Sequence, residues 1–329
     1  MIRLLIILTL LLAILVAASL AFGDVPLTWQ ELYNVIAGMG EPAPQSTMIV
    51  FDLRLPRALL ALLVGVALAT AGTITLAIMR NPLAEPSVLG INSGAAAAAM
   101  AIIVLVQDPS IALIQTASFL GAAVMALAVY ALSWRGGTSS LRIILIGIGL
   151  SSLATAGTTF LSAFGDIGDV QRAMIWLAGS VYDANMMKVQ FLGFSLVVPI
   201  ALAFLAVREL DLIRFGDHSA KSLGQPVDRI RGLMIVLVTV LSGAAVAASG
   251  LIGFVGLVAP HIARRLTGAS SHARILPVAV LVGACLVVAA DLIGRIILPP
   301  AQLPAGIVTS LIGAPFFAYL LWGRRHDRG

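Results

Sequence analysis

Ten apolar stretches succeed one another along the chain, at 4–22, 57–79, 91–106, 111–133, 142–164, 190–207, 232–249, 251–266, 275–297 and 305–322. A helix rises about 1.5 Å per residue, so roughly 20 apolar residues cross a hydrocarbon layer of about 30 Å, and the longer runs are read as membrane spans. Several are short or interrupted by Gly and Pro, 251–266 most of all. Composition points the same way. With 60% hydrophobic and 11% charged residues and a mean hydropathy of +1.06, the chain cannot cover a soluble globule with polar groups. The expectation is an all-α polytopic membrane protein of about ten transmembrane helices, forming one domain over residues 1–329.

The first run has two readings. Arg3 before it and the ASLA ending resemble a cleavable signal peptide, whereas its apolar length suits a retained span. The longer reading is kept. After it, Thr28 and Glu31 form a T-x-x-E capping box that opens a short amphipathic helix, TWQELYNVIAG, lying along the outer surface.

Basic residues orient the chain. With both termini inside, fifteen Lys and Arg face the cytoplasm and five face outward, namely Arg54, Arg57, Arg172, Lys188 and Arg295. The positive-inside tendency predicts this asymmetry. The net charge of +5 therefore reads as a topology signal: the basic residues sit at the ends of apolar runs and form no continuous face for nucleic acid. A faint echo, Gly65, Ala67, Ala69, Gly72 and Ile74 against Gly243, Ala245, Ala247, Gly250 and Ile252, suggests an inverted repeat of five helices each.

The longest strongly charged interval is RELDLIRFGDHSAKSLGQPVDRIR, residues 208–231, carrying five basic residues and hence cytoplasmic. Within it, GDHSAKSL can close at Gly224 in a left-handed turn, and Pro226 suits the first turn of a following helix. Two short helices would make a rigid elbow here, although a solvated loop is the plainer reading of charge alone. The run GIGLSSLATAGTT (147–159) is dense in small residues, which serve close helix packing or line a path equally well.

Much chemistry is excluded. Neither lysine, Lys188 or Lys221, follows a glycine, so the chain has no G-x-x-x-x-G-K-[ST] loop to cradle nucleotide phosphates. Its four histidines lack metal-ligand spacing, the single Cys285 cannot form an internal disulfide, and no catalytic constellation is visible. Asp291 lies four residues before Arg295, a spacing that predicts a local ion pair rather than a proton-carrying site. Were the chain a transporter powered by protons, it would act as a single polypeptide.

Five segments in order carry a resemblance: RLPRALLALLVGVALATAG, NPLAEPSVLGINSGA, GDHSAKSLG, GLIGFVGLVAPHIARRLTG and DLIGR with LPAGIVTSLIGAPFFAYLL. Over nearly its whole length the chain resembles the FecCD family, the membrane permeases of bacterial ABC importers for iron-siderophores, haem and cobalamin. One departure is Leu76, where the family usually carries glutamine. The resemblance implies a type II importer fold in the cytoplasmic (inner) membrane, and a homodimer with the path on its twofold axis. It also implies two ATP-binding subunits that hold ATP and Mg, and a periplasmic or lipid-anchored binding protein, with no cofactor in this chain. By the same likeness the elbow residues Gly216, Asp217, Ser219, Ala220, Lys221, Ser222, Leu223 and Gly224 would couple to the ATPase. Arg54, Arg57 and Arg295 would dock the binding protein, although snorkelling at the membrane border explains them equally well. Gly136, Gly137, Ser139 and Ser140 would form an inner gate, with Gly147, Ser151 and Ser152 on the path. The chelate carried is not readable from these residues.

Overall fold

A computed structural model describes residues 1–25, 27–39 and 44–326, with side chains as far as 319, so the arginines expected inside at 324, 325 and 328 lie outside the described side chains. The described residues form fifteen α-helices. They are α1 Ile2–Ala21, α2 Trp29–Ala37, α3 Pro44–Met48, α4 Leu55–Met79, α5 Ile91–Leu105, α6 Ile111–Ser133, α7 Ser140–Phe164, α8 Ile167–Leu177, α9 Met186–Leu205, α10 Val207–Ile213, α11 Asp217–Ser222, α12 Val227–Ser249, α13 Val255–Thr267, α14 His272–Ile296 and α15 Ala305–His326. Each of the ten apolar runs forms one helix. Seven segments are long and apolar enough to cross a membrane: α1, the continuous stretch Pro44–Met79, α6, α7, α9, α12 and α14. The chain is a multi-pass membrane protein.

The core is built around α4, which packs against α9, α12, α13 and α14. Small residues let these backbones meet. A Cβ at Gly65 would stand 2.3 Å from the Gly283 carbonyl oxygen of α14, and one at Gly72 would stand 1.9 Å from that of Gly256 on α13. Lipid is as apolar as any side chain, so close van der Waals packing is what draws spans together. Helices α6, α7 and α9 pack at the edge of this core with one face each and leave most of their surface uncovered.

Four features depart from the expectation. The span expected at 251–266 begins as helix only at Val255: Gly250 (φ 69°) and Phe254 (φ 66°) turn the chain between them, and the 13-residue α13 is only about 20 Å long. The break is braced by neighbours, with Ser180 donating to the Ser249 carbonyl (2.7 Å) and Gly306 to that of Gly179 (2.9 Å). The repeat echo is matched only in part: its first three pairs lie within α4 and α12, whereas Gly72 and Ile74 lie inside α4 and Gly250 and Ile252 lie past the end of α12. Helix α4 is extended outward by a π-helical stretch, Ile49–Arg54, and by α3. An extra helix, α8, follows α7. The predicted surface helix is present as α2, with the Thr28 side chain accepting from Glu31 N–H and the Glu31 carboxylate accepting from Thr28 N–H.

Candidate coupling, gate and docking sites

The elbow is a folded unit. Gly216 (φ 102°) leads into α11, and Gly224 (φ 84°), whose missing side chain would meet open space, turns the chain out of it. A left-handed residue suits glycine at such a helix end. The second short helix expected after Pro226 is the N-terminal end of the long α12. A further short helix, α10, precedes the elbow instead. Beneath the unit, Leu210, Ile213, Ala220 and Val227 are buried. Gln225 fastens it by donating to the Glu209 carbonyl oxygen (2.9 Å). Further along α10, Asp211 accepts from Ser271 Oγ and His272 N–H at the start of α14 (2.6 and 2.8 Å), bonds that hold its carboxyl below the usual range although partial burial opposes them. On this rigid base two apolar side chains are exposed, Leu223 at 65% and Phe215 at 72%. Leu223 was legible as an apolar residue in a polar stretch; Phe215 carries the same signal and was missed.

Facing the elbow is the loop that joins α6 to α7. Gly136 (φ 64°) and Gly137 (φ 141°) give it left-handed backbone, Ser139 stands at the N-cap position of α7 with its backbone carbonyl accepting from Ile143 N–H (3.0 Å), and buried Ser140 donates to the Ile78 carbonyl at the end of α4 (3.1 Å). Two carboxylates and one guanidinium bind the loop to the elbow. Asp228 accepts from Thr138 N–H (2.7 Å) and Thr138 Oγ1 (2.6 Å) and pairs with Lys221 (3.2 Å). Arg231 donates to the Thr138 carbonyl (3.2 Å) and hydroxyl (2.7 Å) and pairs with Asp217 (2.7 Å), which also meets Arg80 (3.2 Å). Neither Thr138 nor Arg231 was singled out from sequence.

Farther along α7, Gly147 presses against the Val88 carbonyl, where a Cβ would come within 1.9 Å. The next residues open onto a hollow of about 460 Å³ lined by Ser87, Ser93, Ser151, Ser152 and Thr155. In this stretch Gly147 therefore packs, and Ser151 and Ser152 line space.

At the end of the molecule expected to face outward, Arg54, Arg57 and Arg295 are buried rather than reaching along the surface as snorkelling charges would. Arg54 donates to the Leu20 and Ala21 carbonyls (2.7 and 2.8 Å), and Arg295 to that of Ser19 (3.2 Å). These carbonyls belong to the last turn of α1 and have no partner within the helix, the groups any helix end must satisfy. Asp291, 1% exposed, accepts Arg57 (2.8 Å) and, as its i, i+4 spacing predicted, Arg295 (3.0 Å). Arg57 continues to Gln302 (2.7 Å), which donates to Asp24 (2.6 Å). All three arginines line one outer hollow of about 280 Å³, with Asp24 and Tyr182.

A family model described as the FecCD transport family matches residues 11–323. Among similar proteins is the achromobactin transport system permease protein CbrC of Dickeya dadantii (strain 3937), 43% identical over 97% of this chain and 90% of the relative. Another is the hemin transport system permease protein HmuU of Yersinia pestis, 37% identical over 98% of this chain and 96% of the relative. A solved structure described as an inward-facing conformation of a metal-chelate type ABC transporter superposes with a TM-score of 0.88. It is 33% identical, covering 98% of this chain and all of the other.

Proposed function

We infer the function of this chain from its family, for it belongs to the FecCD transport family: it is a membrane permease of an ABC importer and not an enzyme. The cargo class is a ferric chelate, siderophore or citrate, or haem, since those are what its relatives' names carry. The chelate passes through ten crossings, arranged as two halves of opposite sense with both termini inside, and along the path between two copies. Two ATP-binding subunits holding ATP and Mg engage the elbow from below, and a binding protein presents the chelate from outside.

One observation carries the coupling assignment. A helix of six residues, seated on buried aliphatics and turned by two glycines, is flanked by the exposed side chains of Phe215 and Leu223. Exposed apolar side chains at the tip of a rigid element are what a partner's cleft would bury, and rigidity lets them transmit displacement. At the outer end, docking is proposed for the rim that the arginine network holds. A partner carboxylate entering the 280 Å³ hollow would meet Arg54, Arg57 and Arg295 together.

The test is Leu223→Asp and Phe215→Asp, with Gly224→Val to strain the left-handed turn. Expected is loss of ATPase co-purification, or of ATP hydrolysis stimulated by the loaded binding protein, with membrane insertion unchanged. Wild-type levels of both in all three variants would make the elbow a mere connector.

A further inference from the structure

We propose that Arg231 is the positioning residue that joins the elbow to the α6–α7 loop, so that the coupling helix and the base of α7 move as one body. The inference rests on the coupling role proposed above and adds how a displacement leaves the elbow.

Geometry singles out Arg231. It lies in the first turns of α12, its side chain is fully buried, and its guanidinium bridges two segments distant in sequence, Asp217 of the elbow and Thr138 of the loop. Two N–H groups face Thr138 and a third faces Asp217, so one planar fork holds both partners at fixed separation. A lysine ammonium, a single point charge on a flexible stem, could not hold that spacing.

Thr138 in turn has every polar group engaged. Its N–H and hydroxyl donate to Asp228, and its carbonyl and hydroxyl oxygens accept from Arg231. The residue is buried between two left-handed glycines on one side and the cap of α7 on the other. Backbone that can swivel at Gly136 and Gly137 yet is gripped at Thr138 passes motion forward into α7 rather than back into α6. Helix α7 carries Ser151 and Ser152, which line the open hollow. A surface ion pair would not serve here, since exposed pairs are weak and yield to water, whereas a buried, multiply bonded guanidinium is costly to pull apart.

The experiment introduces spin labels at exposed Arg135 and Ser222 in a Cys285→Ser background and reads their distance distribution by pulsed EPR. The full permease is measured alone and with its ATPase subunits, with and without Mg-ATP. With the clasp intact, one narrow 135–222 distance persists through every nucleotide state. Arg231→Met and Thr138→Val should each broaden or split it, with the ratio of separated to clasped populations rising about tenfold, some 1.4 kcal/mol. Thr138→Ser, which keeps the hydroxyl, should restore the narrow distance. A second label at Ser152 reads access of a water-soluble relaxation agent. Its ATP-dependent change should vanish in Thr138→Val while ATPase co-purification stays normal.

Should Arg231→Met fail to fold, Thr138→Val decides alone. A narrow 135–222 distance in Thr138→Val overturns the clasp, and so does an undiminished ATP response at Ser152. Failure of the coupling reading shows elsewhere, as wild-type ATPase association and stimulated hydrolysis in Leu223→Asp, Phe215→Asp and Gly224→Val, and leaves the distance measurement on the permease alone to judge the clasp.

Discussion

Asp291 is the residue on which the outer end of the molecule depends. Its buried carboxylate is the shared partner of Arg57 and Arg295, and both arginines reach on to other segments. Removing one member of such a buried set leaves charge without compensation, at a cost of about 3–5 kcal/mol. Asp291→Ala should therefore lower thermal stability in detergent by far more than Asp291→Glu, measured by the unfolding transition of the purified permease. Reversing Arg54, Arg57 and Arg295 together should likewise damage the fold itself, so binding-protein affinity in that variant would not report docking cleanly. By contrast, Arg172 is exposed and pairs with Asp169 within α8, and Arg172→Ala should leave the transition nearly unmoved. Only part of this network could be read from the chain. The 291/295 spacing announces an ion pair, but Arg57 is 234 residues from Asp291, and nothing local says that the end of α1 needs donors where Arg54 and Arg295 supply them.

At the scale of elements, apolar run length located ten of the helices, the seven long candidate spans among them, because a span must satisfy all its backbone groups internally and so must be helical. The interruption at 250–254 was harder to place. Gly250 announces a break, but nothing in Phe254 announces its left-handed backbone, so the start of α13 falls four residues later than hydropathy suggests. Helix α8 was also unread, being amphipathic and too short for a span. Glycine positions on α4 divide by what they touch. At Gly72 a Cβ would lie 1.9 Å from a carbonyl oxygen of α13, a contact with backbone that no rotamer change can relieve. Gly72→Val should therefore force α13 away from α4 and reduce folded yield in the membrane. Gly193→Ala, on α9, where a Cβ would meet only the Leu63 side chain at an ordinary 3.7 Å, should be neutral or slightly favourable through helix propensity. Comparable folded yields from the two variants, by fluorescence-detected size exclusion, would show that the α4–α13 contact can relax.

The molecule as a whole presents two kinds of uncovered surface, and their side chains differ. Helix α9 exposes Phe191, Phe194, Val197, Val198 and Leu205, a bulky surface suited to lipid tails. Helix α7 exposes Gly149, Ser152, Thr155, Gly157 and Thr159 among its apolar residues. The hydroxyls of Ser152, Thr155 and Thr159 bond to carbonyls one turn back, at 2.9 Å each, so this face makes no demand for water. Its small residues permit close approach by another helix or the passage of a bulky solute, and neither use suits a surface turned to lipid. A second copy meeting the first across α7 accounts for both the small residues and the hollow beside Ser151 and Ser152. Single cysteines at Ser152, Thr159 and Val197, each in a Cys285→Ser background, separate the two surfaces. In membranes, a flexible bis-maleimide should link copies through 152 or 159 and not through 197, and a membrane-impermeant maleimide should reach 152 but not 197. Equal crosslinking at all three positions, or a monomeric mass in detergent with no link through α7, would mean that this face meets lipid and the path lies within one copy.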